Sequence, residues 1–207
     1  QSGDFKSAVE LVNSLLAIRG RVLPITTENV TLVAETGDGR TLRGELTVAK
    51  YGKDIQSIRL SPSGVEPVHE AFSVLEKADM IVLGPGSLFT SVIPNLLVEK
   101  FTAALRSTSH PIVYVANLMT QPGETTGLTQ LDHVKWVARA MGRFPDIVLA
   151  NEDAIPEPLQ ARYSEQGAEP LWLSDADEEF LTAKKCRVVR ASLLQIQDGT
   201  TIRHHSA

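Results

Sequence analysis

The sequence predicts an α/β fold: a doubly wound, mostly parallel sheet flanked by helices, with an antiparallel β-hairpin insertion. Three observations carry this. The runs Met80–Leu83, Ile112–Ala116 and Ile147–Ala150 are short and wholly apolar, as strands buried on both faces are. Segments with apolar residues at three- and four-residue spacing separate them, and such alternation of strands and helices gives a parallel sheet. Ahead of them lies period-two alternation around an Asp-Gly turn.

In chain order, residues 4–18 read as an amphipathic helix, because Phe5, Ala8, Val9, Val12, Leu15 and Leu16 recur at helical spacing. Ser2 or Asp4 is placed to cap it and Gly20 to end it. The stretch Arg21–Pro24 reads as a short strand or its exit. Residues 28–61 form the insertion. Val30, Leu32 and Ala34 share one strand face, Gly37-Asp38-Gly39 turns, and Leu42, Gly44, Leu46 and Val48 alternate again. A further strand is expected over Ile55–Leu60. Then come a helix over 67–77, the strand at Met80–Leu83 and helical patterns to Leu105. The Ile112 strand is followed by a helix over 129–141 and the Ile147 strand. A helix over 156–166 precedes Pro170–Leu173, and a last strand covers Arg187–Ile196. The whole, 1–207, reads as a single domain.

Composition narrows the function. A chain of 207 residues with net charge −5 lacks the basic excess of a general nucleic-acid binder. One cysteine, Cys186, forms no internal disulfide or multi-cysteine zinc site, which fits a reducing, cytoplasmic setting. No apolar run approaches the roughly 20 residues that span a bilayer. The opening residues Gln1–Asp4 do not read as a signal peptide. The chain opens on Gln1 and a helical pattern begins almost at once, so it is read as starting inside a longer protein.

Ligands of open α/β sheets bind at the carboxyl ends of strands, so the loops leaving the three apolar strands are the candidate site. The first is Gly84-Pro85-Gly86-Ser87-Leu88-Phe89-Thr90-Ser91. Its glycines allow close backbone approach, and a helix start beyond it offers N–H groups to an anion. Ser87, Thr90 and Ser91 add hydroxyls. The same pattern fits a tight strand-to-helix turn with a serine cap. The second loop brings Asn117, Thr120, Gln121 and Thr125, which can read a base, a ribose or a sugar. Glu124 and Asp132 suit a metal ion or a general base, or equally the dipole of a helix starting near Thr125 to Thr129. His133 follows Asp132. The third loop opens with Asn151-Glu152-Asp153. Arg19 and Arg21 can clamp phosphates or form a solvated charge pair. Tyr163 is a surface aromatic or a stacking platform, and Arg203-His204-His205 a fraying tail unless a ligand holds it. Cys186, beside Lys184 and Lys185, has no His-and-acid partners in sequence and reads as non-catalytic.

Four segments carry a family resemblance: Arg19–Pro24, Glu28–Leu32, Gly84–Asn95, and Met119–Thr125 with Asp132-His133. The chain resembles, from about residue 5 to His204, the gluconeogenesis-factor (YvcK) branch of the 2-phospho-L-lactate transferase (CofD) superfamily. The resemblance implies a Rossmann-like sandwich and a cytoplasmic protein. It implies a binder of UDP-sugars such as UDP-N-acetylglucosamine, supporting cell shape and wall synthesis on gluconeogenic carbon sources. Under it, Gly84, Gly86, Ser87, Thr90, Arg21, Asn117, Thr120 and Gln121 line a nucleotide-sugar cleft, with Tyr163 and Arg203 as further contacts. The alternative it implies is a transferase that moves a 2-phospholactyl group onto a deazaflavin with a divalent metal such as Mg, with Glu124 or Asp132 as ligand or base. A regulatory kinase acting near the tail, where Ser206 is the nearest hydroxyl, and a homo-oligomer are the partners it suggests, without nucleic acid or membrane insertion. Family members open with a Gly-Gly-Gly-Thr-Gly loop and Asp-Asp-Gly-Gly and Gly-Asn-Leu segments. None occurs here, so the chain is expected to match the C-terminal two-thirds of such a protein.

Overall fold

The computed structural model describes residues 20–52 and 54–205, together with Val9. The predicted first helix otherwise lies outside the described residues, as do Arg19 and Ser206.

The first element group is a three-stranded antiparallel sheet of order β2-β1-β3. Strand β1 (Thr31–Thr36) is central, flanked by β2 (Thr41–Arg43) and β3 (Ile55–Ser61). The expected turn is present: Gly39 takes φ 82° and the Thr36 N–H donates to the Arg40 carbonyl at 3.0 Å. The second arm is shorter than the alternation suggests. The chain breaks at Gly44, φ 89°, and Glu45–Tyr51 coil into a helix, α1. Leu46 faces solvent, 85% exposed, while Val48 is fully buried. That face spacing mimics a strand in sequence. Glu45 in the first turn and Lys50 in the last complement the helix dipole instead.

Helix α2 (His69–Glu76) leads to a four-stranded parallel sheet, β4 (Ile81–Leu83), β5 (Ile112–Val115), β6 (Ile147–Asn151) and β7 (Arg187–Ala191), in that spatial order. Its register pairs Leu83 with Tyr114 and Val115 with Leu149. The described strands advance in one direction, so the reversal that defines double winding is not among them. Helices α3 (Glu99–Ser107), α4 (Gln130–Met141), α5 (Glu157–Glu165) and α6 (Asp175–Ala183) occupy the connections. Side chains of one sheet face, among them Ile81, Leu83, Ile112, Tyr114, Val148 and Ala150, join a core with Leu105, Val134, Val137, Met141 and Leu181. Leu32, Ala34, Val48 and Leu60 of the insertion enter the same core. The expectation that Met80–Leu83 is buried on both faces fails for a topological reason. Strand β4 is an edge of the described sheet, and Met80 and Val82 are 52% and 54% exposed.

The end of the chain departs further from expectation. Pro170 makes a single bridge to Met119, and the residues after it form no strand. Helix α6 has no counterpart among the elements predicted from sequence, although Ser174 and Asp177 form a complete capping box. The expected strand Arg187–Ile196 divides. After β7, the Leu193 and Leu194 N–H groups donate to Asn151 Oδ1 and Asp153 Oδ2 and steer the chain off the sheet. Strand β8 (Leu194–Gln197) then pairs with β9 (Thr201–His204) through a turn with Asp198 and Gly199 both at positive φ. What reads as a fraying tail is a hairpin.

Candidate functional site

The loop after β4 begins with Gly84 at φ 77°, where an added Cβ would lie 3.1 Å from the Val115 carbonyl oxygen. Close packing against β5 and a left-handed backbone both demand glycine. Beyond Ser87 the chain forms a π-helical turn, Leu88–Val92, then a 3-10 segment, Ile93–Leu97. The donors at this turn are already used. Glu124, only 2% exposed, reaches across from the loop after β5. Its Oε1 accepts from the Phe89 N–H at 2.7 Å and the Thr90 N–H at 3.2 Å, and the Thr90 hydroxyl donates to the same carboxylate. The protein's own carboxyl group takes N–H donors that the sequence offers to an anion, and Thr90 is not a free hydroxyl. Burial raises the Glu124 pKa above its ordinary value; the Phe89 and Thr90 hydrogen bonds oppose that shift and the Glu45 charge adds to it. What remains for a ligand is the backbone of Gly86 and Ser87 and the Ser87 hydroxyl, none hydrogen-bonded through its donors among the described residues.

Asn117 is a clamp between loops. Its Nδ2 donates to the Gly86 carbonyl at 2.9 Å, and Gln130 Nε2 donates to the Asn117 carbonyl at 3.2 Å. The buried Tyr114 hydroxyl donates to Asn117 Oδ1 at 3.4 Å. Thr120 is also structural. It is 4% exposed, and its hydroxyl accepts the Glu169 N–H at 2.8 Å while its own N–H donates to the Glu169 carbonyl. Gln121 keeps an exposed side chain; its N–H donates to the Thr125 hydroxyl.

The C-terminal hairpin closes over this loop. The Ile202 N–H donates to the Tyr163 hydroxyl at 2.9 Å, and the His204 ring bonds the Ala116 carbonyl at 3.1 Å. A cavity of about 300 Å³ results, lined by Asn117, Gln121, Tyr163, Arg203 and His204 among others. Arg203 is exposed and its Nε donates to Gln197 Oε1 at 3.0 Å. A second cavity of about 360 Å³ runs beside β4 and includes Gly84, Gly86 and Ser91. The fold thus brings Asn117, Gln121, Tyr163 and Arg203 together and ties Gly86 to them. Arg21 is exposed and lines neither cavity. His204, Gln130 and Tyr114 were missed as contributors; only the position of His204 beside Arg203 signalled any of them.

Asp132 completes the capping box of α4 with Thr129, so its carboxylate serves the helix. His133 is 1% exposed, and neither ring nitrogen has a hydrogen-bond partner among the described residues. Burial drives its pKa down to about 4, against the Asp132 charge. Among the described residues no three His, Cys, Asp or Glu side chains cluster as metal ligands. No single described helix is long and apolar enough to cross a membrane.

A parallel α/β sheet whose strand-end loops and C-terminal hairpin border an open cavity of mixed lining defines a Rossmann-like α/β protein with a candidate ligand site. The family model described as 2-phospho-L-lactate transferase CofD matches residues 1–194; the chain belongs to the CofD family. It is 43% identical over 206 residues to a putative gluconeogenesis factor of Deinococcus radiodurans, covering 99% of this chain and 43% of that one. It is 40% identical over 204 residues to the gluconeogenesis factor of Bacillus subtilis, covering 98% of this chain and 63% of that one. A solved structure of a Bacillus halodurans protein matches with TM-score 0.90 at 34% identity, over 98% of this chain and 64% of that chain. Another, described as a member of the UPF0052 family, matches with TM-score 0.89. This chain therefore spans about half to two-thirds of the length of these relatives.

Proposed function

We propose that this chain forms part of a gluconeogenesis factor that binds a UDP-sugar, with UDP-N-acetylglucosamine as the type ligand, and acts as a regulator of cell shape and wall synthesis. One observation carries the reading: Asn117, Gln121, Tyr163 and Arg203 meet in one cavity at the carboxyl end of the sheet. The composition suits a nucleotide sugar. An arginine neutralises diphosphate, an aromatic ring offers a face to uracil, and amides bond ribose or sugar hydroxyls. Gly86 and Ser87, joined to this cavity through Asn117, add phosphate donors. The names of the two bacterial relatives support the gluconeogenesis-factor part of this reading.

A ligand that binds only the folded state stabilises it, by about 2.7 kcal/mol at 100 times Kd. UDP-N-acetylglucosamine is expected to raise the melting temperature of the protein, and Arg203→Ala to lose that rise while unliganded melting stays near wild type. A folded sample that shows no rise at saturating ligand rejects the proposal. The description of the family model keeps a transferase as the second reading. It predicts turnover of a guanylyl-phospholactate donor with a deazaflavin acceptor in the presence of Mg.

A further inference from the structure

A cavity of about 590 Å³ opens between β3, the 3-10 segment and α3. It shares no residue with the cavity at Asn117 and only Leu96 with the one beside β4. Leu60, Leu97 and Ala103 give it an apolar lining, and four charged residues border it: Arg59, Lys100 and Arg106 against Glu99. Lys100 is engaged by Glu66. The side chains of Arg59, from β3, and Arg106, in the last turn of α3, have no hydrogen-bond or ion-pair partner among the described residues. In a chain of net charge −5, two arginines without an ion-pair partner among the described residues thus border one groove with an apolar wall.

Guanidinium groups are weakly hydrated and match carboxylate and phosphate oxygens in pairs. The groove lies within the volume range of small-molecule sites. An ion alone would leave the leucine-lined wall unused, and a purely apolar ligand would leave both arginines unpaired beside it. We propose that this groove binds a small amphipathic anion, with a carboxylate or phosphate head on Arg59 and Arg106 and an apolar body along Leu60, Leu97 and Ala103.

The test titrates the protein with octanoate, octyl phosphate, octanol and octylammonium, each below its micellar concentration, by calorimetry and by amide chemical shifts. The expected result is saturable binding of at least one anion, with shifts centred on Arg59–Leu60 and Leu97–Ala103. The alcohol and the ammonium bind about tenfold or more weakly, and R59Q/R106Q loses anion binding to the same extent. A preference for octanoate or octyl phosphate assigns the head group. Both arginines are exposed, so the variant is expected to melt close to wild type. The proposal is overturned if octanol or octylammonium binds as well as the anions, if R59Q/R106Q binds unchanged, or if the shifts centre elsewhere. UDP-sugar binding is read at other residues, so either proposal can fail without the other.

Discussion

Glu124 shows how one side chain fixes a loop. Its carboxylate accepts two N–H groups of the turn after β4 from a position in the loop after β5. Glu124→Ala strands those donors, and a cost of about 1–3 kcal/mol is expected in chemical denaturation. Acidity separates the charge from the geometry. A carboxyl whose pKa is raised in the folded state binds protons more tightly there than when unfolded. Its contribution therefore favours folding at low pH and declines as pH rises from the ordinary value of 4.5 through the raised one. Glu124→Gln removes this decline and keeps an acceptor for both N–H groups. His133 works the other way. Its pKa falls from 6.5 to about 4, so the folded state binds fewer protons in that window and stability drops as pH falls through it, by roughly 3 kcal/mol in full. Urea denaturation of His133→Leu is expected to show a flatter profile between about pH 4 and 6.5 than wild type. An unchanged slope contradicts the buried, neutral imidazole.

At the scale of elements, the structure turns on two close approaches. Gly123, at φ 84°, lies where an added Cβ would be 2.7 Å from the Lys50 carbonyl oxygen at the end of α1. Gly123→Ala meets backbone on one side and strain on the other, and is expected to cost about 1–3 kcal/mol. The hairpin of β8 and β9 is held to α5 by Tyr163. Tyr163→Phe keeps the ring and removes the acceptor of the Ile202 N–H, so hydrogen exchange at Ile202 should quicken while the parallel sheet keeps its protection. These elements also show what sequence discloses. The Ile112 and Ile147 runs marked their strands because a sheet interior demands unbroken hydrophobicity, whereas Met80–Leu83 marked β4 although Met80 and Val82 are exposed. Residues 42–48 misled because Leu46 is an exposed leucine on a short helix, which supplies a false alternate position. The Asp198-Gly199 turn and the Ser174 capping box are readable local signals that the surrounding polar residues masked. The candidate loops were found because they follow apolar strands. Their internal bonds, Glu124 to Phe89 and Asn117 to Gly86, span more than 30 residues, and no local pattern records such pairs.

For the whole molecule, the parallel sheet provides an edge on which the two strand-end loops and the C-terminal hairpin form the candidate site. The long-range bonds make these three parts one unit, in which the hairpin carrying Arg203 is tied to α5 and to the end of β5. The groove at Arg59 and Arg106 lies outside this unit, against the insertion. The proposed UDP-sugar site at Asn117, Gln121, Tyr163 and Arg203 is read out by calorimetric titration of UDP-N-acetylglucosamine into wild type and Arg203→Ala. Saturable one-site binding that weakens about tenfold or more in the variant is the predicted result. No binding to folded wild type, or equal affinity in the two proteins, contradicts it.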